Sequence, residues 1–422
     1  MRTVKLDDRL YRTDAENGVT VLSEVLPGVR SVAVGIWVRA ASVHEEAGKM
    51  GVSHLLEHMV FKGTERRSAR DIALELEVRG GALDAFTSRE HTSYQARVLD
   101  EDLPRALDVL TDLVRNPMLR SDDLELERRV VLEEISTVED TPDDLVFELH
   151  AQALWPKHPY GFSILGTRDT ISQLSADDLR ALHARAYHPR HVVITAAGNL
   201  NHDLLLKLVA KCGWFTYEAG PEPPAVPAVP PAQRTSQRVQ RDTVQTHVVV
   251  GTDTFPHRDE RREPLLLLNT VLGGGMSSRL FQRVREELGL AYAVLTYQSF
   301  YHETGVTGVY VGTHPSTADQ AVEVILDELK TLATEGLSGS VLAEAKQQLK
   351  GQVTLSLESP TARMYRLATV ELYGEPYRPI DRVLAGIDRI SAEQVGAVAA
   401  EFLDPARQTT VWLGPNEAPR TH

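Results

Sequence analysis

"ISQLSADDLRALHARAYHPRHVVITAAGN" occupies residues 171–199, and a similar stretch, "IDRISAEQVGAVAAEFLDPARQTTVWLGP", occupies residues 387–415. Each has an isoleucine, a serine that can cap a helix, an amphipathic helical pattern, a proline turn and a β-branched strand. Earlier segments pair in the same order: residues 103–114 resemble residues 318–329, and residues 120–142 resemble residues 337–360. A repeat on this scale predicts that the chain contains one fold twice.

A proline-rich segment separates the two copies. Residues 219–237 read "AGPEPPAVPAVPPAQRTSQ", and proline both fixes the backbone and lacks an N–H donor, so we expect an extended connector there. A chain of 422 residues is also too long for one ordinary core. The sequence therefore predicts two domains, residues 1–218 and 238–422, joined by a linker at 219–237.

The first half of the chain contains both the alternating hydrophobic pattern of strands and the hydrophobic period of helices. Residues 31–42 and 91–99 alternate apolar and polar side chains as half-buried strands do, whereas residues 106–116 and 124–135 carry the helical period. Strands and helices grouped in this way are typical of α+β domains. We expect two homologous domains, each a mainly antiparallel sheet with helices packed on one face.

Composition excludes several classes of protein. The formal net charge is −14, from 45 Lys+Arg against 59 Asp+Glu, which argues against a nucleic-acid partner. The single cysteine, Cys212, excludes an intramolecular disulfide and a cysteine-based zinc cluster. The N-terminus lacks the apolar region of a signal peptide, and no apolar run approaches the length of a membrane span. These observations predict a cytoplasmic protein.

Residues 51–64, "GVSHLLEHMVFKGT", place His54, Glu57 and His58 in an otherwise apolar segment. On a helix, residues four apart lie on one face, so both imidazoles can point at a common metal ion. A carboxylate beside them that does not bind the metal can take a proton from metal-bound water. A histidine pair at this spacing is more often part of an ordinary core or cap, and this alternative has to be weighed against the metal site.

Two observations favour the metal site over an ordinary core. Buried imidazoles and a buried carboxylate are costly without a partner such as a metal ion. The second copy of the repeat, when Gly63 is aligned with Gly273, has Pro264, Leu267 and Leu268 at the three positions. One copy thus carries polar groups where the other carries core residues.

A catalytic zinc ion commonly has three protein ligands, so a further ligand is needed. Glu127 and Glu134 are two helical turns apart in the segment 124–135 and share a face, whereas Glu133 points elsewhere. Spacing alone leaves both Glu127 and Glu134 as candidates.

Together these residues resemble the pitrilysin-type zinc peptidases, or inverzincins, and among them the branch related to mitochondrial processing peptidase. The resemblance rests on H-x-x-E-H, on "GGALDAFTSREHTSYQARVLDEDLP" at 80–104, on "GGGMSSRLFQRVREELGLAYAV" at 273–294, and on the duplicated halves. It covers essentially the whole chain. The family's glutamate ligand follows the motif by about 76 residues, and Glu134 lies 76 residues after His58.

The resemblance implies one Zn²⁺ per chain, bound by His54, His58 and Glu134, with Glu57 as the general base. Glu127 matches the family's second acidic position, which supports the site without binding the metal. The first domain would be catalytic, and the homologous inactive domain would complete the substrate cleft.

The resemblance also implies residues that contact the substrate. Arg285 and Tyr292, seven apart in the second half, match an arginine and a tyrosine that reach the substrate in the family. Without the resemblance, a solvated arginine and a core tyrosine would be the simpler interpretation. An edge strand with Asp84, Ala85, Phe86 and Thr87 would pair with the substrate backbone.

The edge strand contains one departure from the family's pattern. Asp84 stands where the family usually has asparagine, and an ionised carboxylate cannot donate a hydrogen bond. We expect a substrate preference that is altered or shifted toward basic residues.

The predicted function is a zinc-dependent endopeptidase that cleaves peptides or unfolded segments in an enclosed chamber. The resemblance implies a shell of four such domains, and this chain supplies two, so we expect a homodimer or a pairing with a related subunit. The alternative is a non-catalytic or processing subunit of a larger complex. Such relatives typically lack part of the zinc set, whereas all four residues are present here.

Overall fold

Seven strands form the first sheet of the structure, a computed structural model in which residues 1–415 are described. They are β1 (Arg2–Asp7), β2 (Leu10–Asp14), β3 (Thr20–Val25), β4 (Ser31–Val38), β5 (Ala82–Thr87), β6 (Thr92–Leu99) and β7 (Val192–Gly198). Their spatial order is β1-β2-β3-β7-β4-β6-β5. Strands β3 and β7 are parallel, and the other neighbours are antiparallel.

Five strands form the second sheet. They are β8 (Ser236–Gln240), β9 (Thr246–Thr254), β10 (Ala291–Phe300), β11 (Gly305–Thr313) and β12 (Thr409–Gly414). Their order, β10-β11-β9-β12-β8, matches β5-β6-β4-β7-β3 of the first sheet strand by strand, and the one parallel pair, β8 with β12, falls at the equivalent place. The duplication expected from the sequence is therefore present in the sheet topology.

Fourteen α-helices are found among residues 1–415. Those before the proline-rich segment are α1 (Val52–Val60), α2 (Ala69–Glu77), α3 (Leu103–Arg115), α4 (Ser121–Glu139), α5 (Pro142–Leu154), α6 (Arg168–Gln173), α7 (Ala176–Ala186) and α8 (His202–Lys211). Those after it are α9 (Arg262–Gly273), α10 (Ala318–Glu335), α11 (Gly339–Ser356), α12 (Pro360–Leu372), α13 (Ile380–Arg389) and α14 (Ala392–Phe402). In the described part of the chain, no helix has the length and hydropathy needed to cross a membrane.

The repeated sequence that includes the serine caps folds in the same way in both copies. Ser175 is the N-cap of α7, and its hydroxyl accepts a hydrogen bond from the N–H of Asp178. Ser391 is the N-cap of α14 and accepts one from the N–H of Gln394. The side chains of Asp178 and Gln394 in turn accept a 2.9 Å hydrogen bond from the backbone N–H of their serine. These are capping boxes, and each helix is followed by a proline turn and a strand, as predicted.

The chain divides into two compact units, and each draws residues from both halves of the sequence. The first unit contains Met1–Ile135, Ser163–Pro227 and Ser356–Tyr377, and the second contains the remaining stretches. The proline-rich segment has no helix or strand until β8 begins. The domain limits 1–218, 219–237 and 238–422 stay a prediction.

The main core of the first unit lies on one face of its sheet. Strand β4 directs Val32, Val34, Ile36 and Val38 into this core, where they pack with apolar side chains of α1, α3 and α7. In the second unit, Val248 and Val250 of β9 belong to the corresponding core, with α9, α10 and α14. The mainly antiparallel α+β architecture expected from the sequence is confirmed.

Each sheet also has one helix on its opposite face, which the sequence did not predict. In the first unit this helix is α12, whose Met364, Leu367 and Ala368 pack against Leu22 and Trp37. In the second unit it is α5, which supplies Val146 and Ala153 to a cluster with Val249 of β9. Helix α5 follows α4, and α12 follows α11, the helix equivalent to α4 in the second half of the sequence. Helix α5 is encoded in the first half but packs on the second sheet, and α12 is encoded in the second half but packs on the first sheet.

Ion pairs fix α12 on the first sheet. Arg363 contacts the Glu24 carboxylate, and Glu371 contacts Arg12 and Arg39. The Arg39 guanidinium also donates 2.8 Å and 3.1 Å hydrogen bonds to backbone carbonyls at the end of α12. The first unit therefore depends on a helix that is encoded more than 160 residues after β7.

Leu367→Ala is expected to destabilise the first unit, because Leu367 is fully buried between α12 and the sheet. A leucine-to-alanine change at such a site costs about 2–5 kcal/mol. Denaturant unfolding measures the loss. Leu355→Ala is the control, since that side chain is 72% exposed and a surface change stays within about 0.5 kcal/mol. Equal stability of the two variants would contradict the packing described for α12.

Candidate metal centre

Helix α1 has an apolar face and a polar face. Leu55, Leu56, Met59 and Val60 have no exposed surface and pack in the first core. The histidines lie at positions that are less buried, with 12% of the His54 side chain and 18% of the His58 side chain exposed. Helical periodicity thus separates the core residues from the pair that can bind an ion.

Glu134, on α4, meets both histidines. Its Oε2 is 3.6 Å from Nε2 of His54, and its Oε1 is 3.6 Å from Nε2 of His58. One ligand atom from each of the three residues lies within 4.8 Å of the others. The structure therefore brings together the three residues that the family resemblance selected as ligands.

The spacing of these atoms suits zinc. Bonds of roughly 2.0–2.2 Å in a tetrahedron place nitrogen and oxygen ligands about 3.4 Å apart, close to the two 3.6 Å separations. Burial, with a smaller contribution from His58, lowers the pKa of His54 to about 4. The neutral imidazole, which is the form that binds a metal, is thus favoured at neutral pH.

Glu127 lies behind His58 and does not join the ligand cluster. Nδ1 of His58 donates a 3.1 Å hydrogen bond to Oε2 of Glu127, and the other oxygen contacts the Lys62 ammonium. With Nδ1 held in this way, the proton is on Nδ1 and Nε2 is left to face Glu134. The geometry separates the two candidates that spacing left open, since only Glu134 faces both histidines.

Glu57 lies on α1, between the two histidines in sequence, and is buried, with 8% of its surface exposed. Burial raises the pKa of its carboxyl group, while the hydrogen bond from Thr87 and the charge of a nearby His58 act to lower it. The Thr87 hydroxyl donates to Oε2 of Glu57 at 2.9 Å. A carboxylate with a raised pKa that is held by a neighbour is suited to accept and return a proton.

Strand β5 is an edge of the first sheet, since it pairs only with β6. Ala85 packs toward the main core and Phe86 toward the α12 side, so alternate residues face opposite sides of the sheet. Asp84 is exposed and accepts hydrogen bonds from the Ala85 N–H at 2.9 Å and from Gln95 at 3.2 Å. No salt-bridge partner for Asp84 is found among residues 1–415.

Thr87 has a contact that the sequence did not predict. It lies in the strand expected to pair with the substrate backbone, and its hydroxyl also donates a hydrogen bond to Glu57. Sequence reasoning also missed Lys62, although it lies four residues after His58 and thus one turn further along. No local pattern shows that its ammonium reaches Glu127 on α4.

Arg285 and Tyr292 belong to the second unit. Arg285 lies in a π-helical turn, Phe281–Glu287, and Tyr292 is the second residue of β10. The guanidinium carbon is 4.6 Å from the centre of the Tyr292 ring, and Tyr292 is 77% exposed. The core alternative for Tyr292 is therefore wrong, and the two predicted residues lie beside each other.

Comparisons with known proteins cover nearly the whole chain. Residues 20–168 match the family model described as insulinase (peptidase family M16), and residues 173–349 match the peptidase M16 inactive domain. An uncharacterized zinc protease of Streptomyces coelicolor is 39% identical over 97% of this chain and 91% of its own length. One of Bacillus subtilis is 40% identical over 93% of this chain and 95% of its own.

Solved structures share the fold. A protease from Helicobacter pylori aligns with a TM-score of 0.89 at 22% identity, covering 96% of this chain and 99% of that one. A structure described as the peptidase M16 inactive domain from Pseudomonas fluorescens aligns with a TM-score of 0.89 at 20% identity, covering 97% and 99%. The family models, the near full-length relatives and the H-x-x-E-H helix lead to one conclusion: this chain belongs to peptidase family M16.

Proposed function

We propose that the chain is a zinc-dependent endopeptidase that cleaves peptides or unfolded segments. The observation that carries this proposal is the convergence of His54, His58 and Glu134 beside the buried Glu57. The naming of the relatives as zinc proteases supports it. In this proposal each chain binds one Zn²⁺ through the three converging side chains.

Zinc, when bound, supplies a Lewis acid that lowers the pKa of a coordinated water and polarises a carbonyl group. Glu57 then acts as general base, taking a proton on its carboxylate and returning it to the leaving amine. Burial increases the proton affinity of Glu57, and Thr87 holds one of its oxygens in place. Glu127 keeps the His58 ring in one orientation.

The substrate proposal rests on the free edge of β5. An extended peptide can add to such an edge through main-chain hydrogen bonds, whereas most main-chain groups of a folded protein are already paired. Asp84, Ala85, Phe86 and Thr87 would line the added strand. Because Asp84 is an exposed carboxylate without a salt bridge in the described residues, a preference for basic substrate side chains follows.

Several finer assignments remain predictions. The contribution of Arg285 and Tyr292 to substrate binding comes from the family resemblance, as does the branch related to mitochondrial processing peptidase. The cytoplasmic location comes from the sequence alone. The alternative of a non-catalytic or processing subunit is less favoured, because the zinc set and Glu57 are complete.

Two substitutions separate ligand from base. Glu134→Gln is expected to weaken zinc binding, because it replaces a ligand carboxylate, whereas Glu133→Gln on the exposed side of α4 leaves it unchanged. Glu57→Gln should retain about one zinc per chain yet lose roughly 10²-fold or more in kcat. Metal analysis together with peptidase assays, with and without a chelator, measures both effects. Loss of zinc from Glu57→Gln with retention by Glu134→Gln would reverse the assigned roles.

Thr87→Val tests the contact between the edge strand and the base. Valine keeps the shape but removes the hydroxyl that donates to Glu57 at 2.9 Å. A hydrogen bond to a charged group contributes about 1.5–3 kcal/mol, so we expect kcat to fall roughly 10-fold or more with zinc content unchanged. Thr87→Ser keeps the hydroxyl and should stay near wild-type activity. Equal kcat values for the two variants would exclude this role for the hydroxyl.

Assembly is the last part of the proposal. Both the zinc set and the Arg285–Tyr292 pair are present in one chain, so a homodimer with two sites needs no other gene product. An enclosed acidic chamber would admit flexible peptides, exclude folded proteins and favour basic substrates at low salt. Light scattering should show a dimer, and a basic unstructured peptide should be cut while a tightly folded protein is not. A monomer that digests both equally well would exclude the chamber.

A further inference from the structure

Helix α1, which carries both histidines and Glu57, begins without a side-chain cap of its own. Its N-cap is Gly51, whose φ of 86° is left-handed. A Cβ at this position would lie 2.5 Å from the Leu165 carbonyl oxygen and 2.7 Å from a methyl group of Ile171. The serine, threonine, aspartate or asparagine that usually caps a helix is therefore excluded here.

The missing cap is important because α1 has only nine residues. A helix this short is unstable by itself, and its first N–H groups need hydrogen-bond partners when they are buried. Helices α7 and α14 satisfy theirs with the serine that precedes them. Helix α1 needs a partner from elsewhere in the chain.

Glu45 provides that partner. Its Oε2 accepts a 2.8 Å hydrogen bond from the Gly51 N–H, and its Oε1 accepts a 2.8 Å bond from the Ser53 N–H. Glu45 is 8% exposed, and burial raises the pKa of its carboxyl group to about 7, opposed by the hydrogen bonds from Ser53 and Gly51. A carboxylate six residues before the N-cap Gly51 thus takes the place of the usual cap.

The chain before α1 is also held from its other side. The Thr170 hydroxyl donates a 2.9 Å hydrogen bond to the Met50 carbonyl. Gly166 passes so close that a Cβ there would lie 2.4 Å from the same oxygen. The backbone of Met50 and Gly51 is thus fixed between the segment around Gly166 and the Glu45 carboxylate, with little freedom to satisfy the helix N–H groups in another way.

We propose that Glu45 is a positioning residue for the metal centre: by holding both ends of the Gly51–Ser53 turn, it sets where His54 stands relative to Glu134 on α4. This inference rests on the proposed function for its metal part. His54 directly follows Ser53, whereas Glu134 belongs to a separate helix. A shift at the start of α1 therefore changes the separation of the ligands, even though Glu45 itself touches neither.

The test measures zinc affinity and local stability in the full chain. Glu45→Gln retains the size of the side chain but places an NH₂ donor against a backbone donor. We expect its zinc Kd, from competition with a chromophoric chelator, to rise about 10–100-fold, as for other groups that orient a ligand. In the zinc-free protein, amides 51–55 should exchange with solvent about 10-fold faster or more. Glu46→Gln, the same chemical change at an exposed neighbour, should behave as wild type in both measurements.

Unchanged zinc affinity and unchanged exchange in Glu45→Gln would overturn the proposal. If that variant does not fold, Glu45→Asp takes its place, because the shorter side chain can reach one of the two N–H groups but not both. An intermediate Kd is then expected, and a wild-type Kd would overturn the proposal. Fast exchange of the Gly51 and Ser53 amides in folded wild-type protein would also overturn it. Absence of peptidase activity would count against the proposed function and leave the exchange result to decide the role of Glu45.

Discussion

The structure of the candidate metal centre depends on the burial of polar groups on one short helix. Helix α1 must insert Leu55, Leu56, Met59 and Val60 into the core while it holds His54, Glu57 and His58 at a common site. Two imidazoles and a carboxylate in such surroundings are unfavourable unless each has a partner. Glu127 on α4 and Thr87 on β5 are hydrogen-bond partners of His58 and Glu57, whereas the buried Nδ1 of His54 has no hydrogen-bond partner among the described residues.

Helix α4 supplies two of these partners from one face. Glu134 faces both histidines, and Glu127, two turns earlier, accepts from the far side of the His58 ring. Because the two glutamates are seven residues apart on one face, Glu134 faces Nε2 of His58 while Glu127 accepts from Nδ1 of the same ring. Strand β5 contributes Thr87 to Glu57, so the edge proposed to receive the substrate also touches the proposed base.

The duplicated fold shows how one framework carries different chemistry. Helix α9 takes the place of α1 in the second half, and Pro264, Leu267 and Leu268 are buried where α1 has its polar triad. The core of the second unit therefore needs none of the carboxylates that surround the candidate metal centre in the first unit. The two halves also exchange α5 and α12, so the outer face of each sheet is covered by a helix encoded in the other half.

The sequence by itself determined the features that depend on local spacing. The H-x-x-E-H helix, the serine caps, the strand and helix periods and the internal repeat all follow from residues close together in the chain. The choice of Glu134 as a ligand required the family resemblance, since spacing along α4 fits Glu127 equally well. Only the tertiary structure decided which carboxylate faces the histidines, that Thr87 bonds to Glu57, that Glu45 caps α1, and that α5 and α12 pack on the opposite sheets. Periodicity specifies which face of an element is buried, but not which distant element packs against that face, because this choice is made by long-range packing and hydrogen bonding in the folded chain.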